Sequence, residues 1–111
     1  MHVESRLIEV EGIPETLGGT AYRVVQEGLT NARKHAPNTL VRVSLAGAPG
    51  EGLTAEVRNP LAIGSENRTR PESGLGLIGL AERTALAGGL LTHEVTTKQE
   101  FVLTAWIPWP A

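Results

Sequence analysis

The sequence predicts an α+β fold, a two-layer sandwich in which a mixed, mostly antiparallel sheet is covered on one face by helices. Two segments repeat apolar residues at helical spacing, whereas five others read as strands. In order they run β-α-β-β-lid-α-β-β, and short connections join successive strands, which makes neighbours antiparallel and leaves the helices to one face. With 111 residues, 41% hydrophobic and 20% charged, the whole chain, 1–111, reads as a single domain able to bury one core.

The first strand is expected from Val3 to Val10, and Gly12-Ile13-Pro14 turns the chain. A helix capped by Thr16 or Thr20 then runs to about His35, with Ala21, Val24, Val25, Leu29 and Ala32 on its inner face. Ala36-Pro37-Asn38 ends it, because the residue before a proline avoids the helical region. Val41, Val43 and Leu45 alternate with Arg42 and Ser44, and beyond the breaker Gly47-Ala48-Pro49-Gly50 the residues Leu53, Ala55 and Val57 alternate with Thr54, Glu56 and Arg58. From Asn59 to Glu72 the chain is polar and aperiodic, with Pro60, Gly64 and Pro71, and it is expected to form a mobile lid over about 60–73. Leu77, Leu80, Ala81 and Thr84 mark the inner face of a second helix closed by Gly88-Gly89. Leu90–Val95 and Phe101–Ile107 form a hairpin around Thr96-Thr97-Lys98-Gln99. Trp106 and Trp109 are expected to anchor the sheet or a docking face, and His2 and His93 have no partners at metal-ligand spacing.

Composition excludes several functions. A formal net charge of −2 supplies no basic field for nucleic acid or anionic lipid. With no cysteine there is no disulfide and no thiol chemistry. No apolar run is long enough to cross a bilayer and the N-terminus is not a signal peptide, so this chain is cytoplasmic in character, although a parent protein can still be membrane-bound.

Two segments carry chemistry. On the first helix Glu27, Asn31 and Lys34 fall four and three residues apart and so form one stripe, with His35 a turn beyond Asn31. At about 100° per residue the stripe flanks the apolar face, at a half-buried rim. The carbonyl oxygen of an asparagine is a hard ligand of the kind Mg²⁺ takes. The bland reading is a solvated edge with a Glu27–Asn31 hydrogen bond. The second segment, Ser73-Gly74-Leu75-Gly76-Leu77-Ile78-Gly79, reads as a glycine turn opening into a helix whose free N–H groups and positive dipole end suit phosphate. Its Gly74-x-Gly76-x-x-Gly79 spacing matches the dinucleotide fingerprint only superficially, because a polar loop precedes it where a buried strand should stand.

Together these segments carry a resemblance. Tyr22-Arg23-Val24-Val25-Gln26-Glu27-Gly28-Leu29-Thr30-Asn31-Ala32-Arg33-Lys34-His35-Ala36 is similar to the N box, and Gly74 to Arg83 with Leu86-Ala87-Gly88-Gly89 to the second glycine box, of sensor histidine kinases. The chain resembles their catalytic ATP-binding domain, of the Bergerat-fold (GHKL) superfamily, in the subfamily of nitrate-responsive and membrane-fluidity sensors. The resemblance runs over essentially the whole chain, to the Phe101–Pro108 ending.

It implies ATP and Mg²⁺ as cofactors and a protein histidine kinase activity. By the same resemblance, Asn31 holds Mg²⁺, Lys34 and His35 contact phosphate, and Glu27 is the catalytic residue that orients or deprotonates the attacking group. Gly74, Leu75, Gly76 and Leu77 border the triphosphate through backbone N–H groups, and His35 is not the phosphoacceptor. The implied partners are a helical dimerisation domain carrying the phosphoacceptor histidine, and a response regulator. No dimerisation helix or phosphoacceptor motif occurs in the sequence, and Met1 stands directly before the first strand, so the chain is expected to be a piece of a larger kinase, unable to phosphorylate itself alone.

One departure concerns the base. Where the family has Asp and, two residues later, Gly, this chain has Asn59 and Leu61, with Pro60 between. Asparagine still accepts a hydrogen bond from the adenine amino group, but a charge-assisted bond contributes roughly 1.5–3 kcal/mol against about 1 for a neutral one. That departure keeps open a degenerate module that binds partners without using ATP. A further reading is an anti-sigma-factor serine kinase of the same superfamily, which works as a freestanding single domain; against it, the Gly79-Leu80-Ala81-Glu82-Arg83 run resembles the sensor-kinase form.

Overall fold

A computed structural model describes residues 2–8, 12–35, 39–60 and 71–110, with side chains described over 12–34, 39–60 and 77–110. The elements are β1 (His2–Ile8), α1 (Glu15–His35), β2 (Leu40–Ala48), β3 (Gly52–Pro60), α2 (Pro71–Leu86), β4 (Leu90–Val95) and β5 (Glu100–Ile107). They build one five-stranded sheet in the order β1-β2-β3-β5-β4. β1 runs parallel to β2, with α1 as the crossover that a parallel pair requires, and the other three pairings are antiparallel. This is the expected α+β sandwich with a mixed sheet. The expected end of β1 at Val10, the turn at Ala36-Pro37-Asn38 and lid residues 61–70 lie outside the described residues.

Strand alternation sorts the sheet into two faces. The register aligns Val43, Val57 and Leu103 in one row and Leu45, Ala55, Ala105 and Leu91 in the next. This face packs under the helices: Leu17, Ala21 and Val24 of α1 and Leu77 and Leu80 of α2 share a buried cluster with Leu53, Ala55, Leu103, Ala105, Ile107 and Trp109. Further along α1, Ala32, with Val25 and Leu29 beside it, meets Val41, Val43 and Val57. Thus α1 travels from the Leu53/Ile107 end of the sheet to the end where β3 finishes at Asn59-Pro60. The opposite face carries Arg42, Arg58, Glu56 and Thr104 and a half-exposed Trp106, while Trp109 is buried as an anchor.

Helix boundaries differ from expectation in two places. α1 begins at Glu15, with the Pro14 carbonyl accepting from Gly18 N–H at 2.9 Å, so neither threonine is its cap. Thr20 instead turns its hydroxyl back to the Thr16 carbonyl at 3.3 Å. α2 begins at Pro71, where a proline fits because its missing N–H is one the helix leaves unpaired anyway. Residues 71–73 of the expected lid are therefore helical, and Gly74 to Gly76 lie inside α2 instead of in a turn before it. At the far end Gly88 takes φ +84°, with Gly89 N–H on the Thr84 carbonyl and Gly88 N–H on the Ala85 carbonyl, both at 2.9 Å. That double closure is the expected glycine cap.

Candidate nucleotide site

Gly28 sets how close α1 comes to the sheet. A Cβ built there would lie 2.7 Å from both Cβ and Cγ2 of Val57. Only glycine allows that approach, and it presses the next turn of the helix onto the sheet. Asn31, on that turn, is only 4% exposed, deeper than the half-buried rim its spacing predicts. Its neighbours on the stripe grade outward: Glu27 is half-buried and Lys34 exposed.

Both polar atoms of the Asn31 amide are buried, and neither has a hydrogen-bond partner among the described residues. The Glu27–Asn31 hydrogen bond of the bland reading is therefore not formed. An unsatisfied buried polar group costs about 1–3 kcal/mol, so this amide calls for a partner that the described residues do not supply. A hard oxygen with no competing donor suits a small divalent cation that keeps most of its shell as water and phosphate oxygens.

Asn59 lies at the same end of the sheet, on the helix-covered face two residues beyond Val57 and opposite Phe101. It is 2% exposed, and its Nδ2 donates to the Pro60 carbonyl at 3.1 Å. Phe101 packs on the core and meets the ring of His93 at a centroid distance of 6.0 Å. On the other face, the Arg58 guanidinium donates to Glu100 at 2.9 Å and Glu56 at 3.4 Å, tying the ends of β3 and β5 together. The hydrogen bond to Glu100 leads the causes that raise the Arg58 pKa above its ordinary value.

The remaining expected site residues are placed more coarsely. Leu77 is buried in the core, so its side chain faces the sheet. Gly74, Leu75 and Gly76 stand in the first turns of α2, and the side-chain environments of Leu75 and His35 lie outside the described residues. In a helix starting at Pro71, the N–H groups of Leu75, Gly76 and Leu77 are committed to carbonyls four residues back. The N–H groups the helix leaves open are those of Glu72 and Ser73. Among the described residues no group of three or more His, Cys, Asp or Glu could hold a metal, so a cation here would rest on Asn31 and its ligand.

Sequence reasoning missed Gly28 and Phe101. A lone glycine inside a strongly helical pattern was the available signal for the first, since such a residue usually has a packing reason. Nothing in the sequence gives the register that brings Phe101 opposite Asn59.

No protein-family model matches the chain. It is 33% identical over 95 residues to the sensor histidine kinase LnrJ of Bacillus subtilis (strain 168), covering 84% of this chain and 22% of that protein. It is 35% identical over 88 residues to the oxygen sensor histidine kinase NreB of Staphylococcus carnosus (strain TM300), covering 78% of this chain and 25% of that protein. Over the stretch they share, the chain is similar to sensor histidine kinases. It spans about a quarter or less of the length of these two relatives (22% and 25%). Among solved structures, the Acinetobacter baumannii histidine kinase AdeS superposes with a TM-score of 0.72 at 13% identity, over 99% of this chain and 55% of that one. The histidine kinase domain of the Erythrobacter litoralis EL346 blue-light activated kinase gives 0.65 at 17% identity, over 96% of this chain and 54% of that one. At those identities the likeness concerns the fold, and the fold agrees with the kinase-type α+β sandwich. No helix among the described residues is long and apolar enough to cross a membrane.

Proposed function

We propose that this domain binds Mg–ATP and donates its γ-phosphoryl group to a histidine on a separate helical dimerisation domain of the parent protein. A response regulator then takes the phosphoryl group. The observation that carries the reading is the buried, unpartnered amide of Asn31. It stands in the N-box segment, on a helix pressed to the sheet by Gly28.

In the transfer, the bond from the γ-phosphorus to the β–γ bridging oxygen breaks, a phosphorus–nitrogen bond forms at the imidazole, and ADP leaves. Positioning and charge neutralisation supply most of the catalysis in such reactions. Asn31 would hold Mg²⁺ through Oδ1, and the ion when bound neutralises charge on the phosphates. Lys34, exposed on the same stripe, would bring its ammonium to a phosphate oxygen, and His35 would assist at the helix end. Half-buried Glu27 orients the incoming imidazole and accepts its proton. Asn59 reads the base, and the Gly74-Leu75-Gly76-Leu77 stretch borders the triphosphate, where two residues without side chains permit close approach. The reaction needs cytoplasmic ATP, so the domain works on that side of the membrane whether or not the parent is anchored.

Incubating the chain with γ-labelled Mg–ATP and the parent's dimerisation domain tests this. The expected result is label on histidine, labile to acid. Acid-stable label on a serine of a small antagonist protein would favour the serine-kinase reading. No transfer and no nucleotide binding would leave the degenerate module, the reading that Asn59-Pro60-Leu61 motivates.

A further inference from the structure

β4 ends the sheet, and its outer edge pairs with no strand among the described residues. Such an edge presents a row of open N–H and C=O groups, which proteins usually blunt with lysine, proline or a bulge. β4, Leu90-Leu91-Thr92-His93-Glu94-Val95, carries none of the three, and all but Leu91 are exposed, Val95 at 46%. The hairpin fixes which groups face outward. Thr96 N–H donates to the Glu100 carbonyl at 2.8 Å, so Glu94 and Thr92, at steps of two, also turn their backbone groups toward β5, opposite Val102 and Thr104. Leu91, His93 and Val95 therefore turn theirs away from the sheet.

We propose that β4 is a self-pairing edge, which takes β4 of a second copy of this chain, antiparallel, about a two-fold axis at His93. This register pairs every outward residue: His93 with the second copy's His93, and Leu91 with Val95 in both directions. Each of these pairs exchanges two hydrogen bonds. A slip of two residues leaves one outward residue of each copy unpaired, and a slip of one sets the apolar side chains of one copy against the wrong face of the other. The side chains fit the same register. Leu91 and Val95 meet on the helix-covered face, beside Ala105 and Phe101 of β5. On the open face Glu94 lies opposite Thr92, so no two carboxylates oppose each other. The product is one continuous sheet with both helix layers on the same side. A six-residue edge is only about 20 Å long, which places the contact in the weak class. Tethering offsets that weakness: two copies held by the dimerisation domain proposed above meet at an effective concentration of about millimolar if the linkers are short and flexible. The pairing itself does not depend on the nucleotide reading.

Introduced thiols test the register without background, because the chain has no cysteine. His93→Cys sets the new side chain opposite its own copy at a Cα separation of about 5.5 Å, inside the disulfide range of about 4.4–6.8 Å. Val95→Cys alone sets the two copies more than about 13 Å apart along the strands. Under mild oxidation near millimolar chain, without nucleotide, His93→Cys is expected to give at least about tenfold more covalent dimer than Val95→Cys. Mixing Val95→Cys with Leu91→Cys should restore cross-linking, as the mixed dimer. Sedimentation equilibrium of the unaltered chain should show the mass rising from one chain toward two as the concentration approaches about millimolar. His93→Lys sets two ammonium groups opposite each other and should hold the mass at one chain throughout. Its urea midpoint in dilute solution should match wild type, because position 93 is exposed; were that midpoint lowered, the cross-linking pattern decides alone. A single-chain mass for wild type at every concentration, association that survives His93→Lys, or equal cross-linking by His93→Cys and Val95→Cys overturns the proposal.

Discussion

Replacing Gly28 with alanine tests whether the close approach of α1 to β3 organises the site. The new methyl would lie 2.7 Å from Cβ and Cγ2 of Val57 and 2.8 Å from Cγ1. Comfortable carbon contacts begin near ~3.5 Å, so helix and strand must separate by something under an ångström. Rotating Val57 brings no relief, because its own Cβ is one of the atoms struck, and the residue is 1% exposed. Overpacking of this kind costs typically about 1–3 kcal/mol, and three simultaneous contacts with a rigid side chain place this case in the upper half. Alanine returns about 0.8–1.0 kcal/mol in helix propensity. The net expectation is a loss of roughly 1–2 kcal/mol, or a melting temperature lower by about 5–15 °C for a domain of this size. Thermal and urea unfolding followed by far-UV circular dichroism measure it. The strain lies between two named side chains, so Val57→Ala should cost at least about 1 kcal/mol less in the Gly28→Ala background than in wild type. A Gly28→Ala domain more stable than wild type, as for an ordinary solvent-facing helix glycine, would refute the argument.

Gly19→Ala and Gly79→Ala are the matching controls, since a Cβ at either meets nothing within 4 Å; each should stabilise the domain by up to about 1 kcal/mol in urea unfolding. Asn31→Leu removes two unpartnered buried polar atoms at similar volume, so the nucleotide-free domain should gain about 1 kcal/mol in urea unfolding while Mg²⁺-dependent nucleotide binding disappears from calorimetry. Glu100→Gln should cost no more than about 0.5 kcal/mol, because the Arg58 side chain is 35% exposed, and the difference should shrink further in high salt. The folded-state pKa of Arg58 is raised, so its share of stability is fully present below the unfolded arginine value and is lost only as pH climbs through the higher folded one. Neutral to mildly alkaline titration should therefore leave that share unchanged.

Period-two alternation carried most of the sheet. Val41, Val43, Leu53, Ala55 and Val57 are all buried on the helix side as their spacing requires, and Gly88-Gly89 closes α2 where two consecutive glycines stop a helix. The helix starts were less legible. Thr16 and Thr20 are good capping residues, yet Pro14 precedes a run, Glu15 onward, in which nothing forbids helix, and the chain takes the longer option. The same holds for α2, where Gly74 and Gly76 read as a turn but are tolerated within a helix that a proline can open. For the candidate site, the spacing of Glu27, Asn31 and Lys34 gave the stripe but not its depth. Depth depends on how near α1 comes to β3, and that is set by a missing side chain at Gly28 facing Val57, a pairing of distant segments. The orientation of the Asn59 amide depends on a backbone carbonyl, which side-chain chemistry alone does not reveal.

Calorimetric titration of this chain with a non-hydrolysable ATP analogue, with and without Mg²⁺, tests the central claim most directly. The account predicts micromolar binding that weakens sharply when the metal is withheld. Binding that ignores Mg²⁺, or none at millimolar nucleotide, would contradict it, because the buried amide of Asn31 would then have no ligand to explain it.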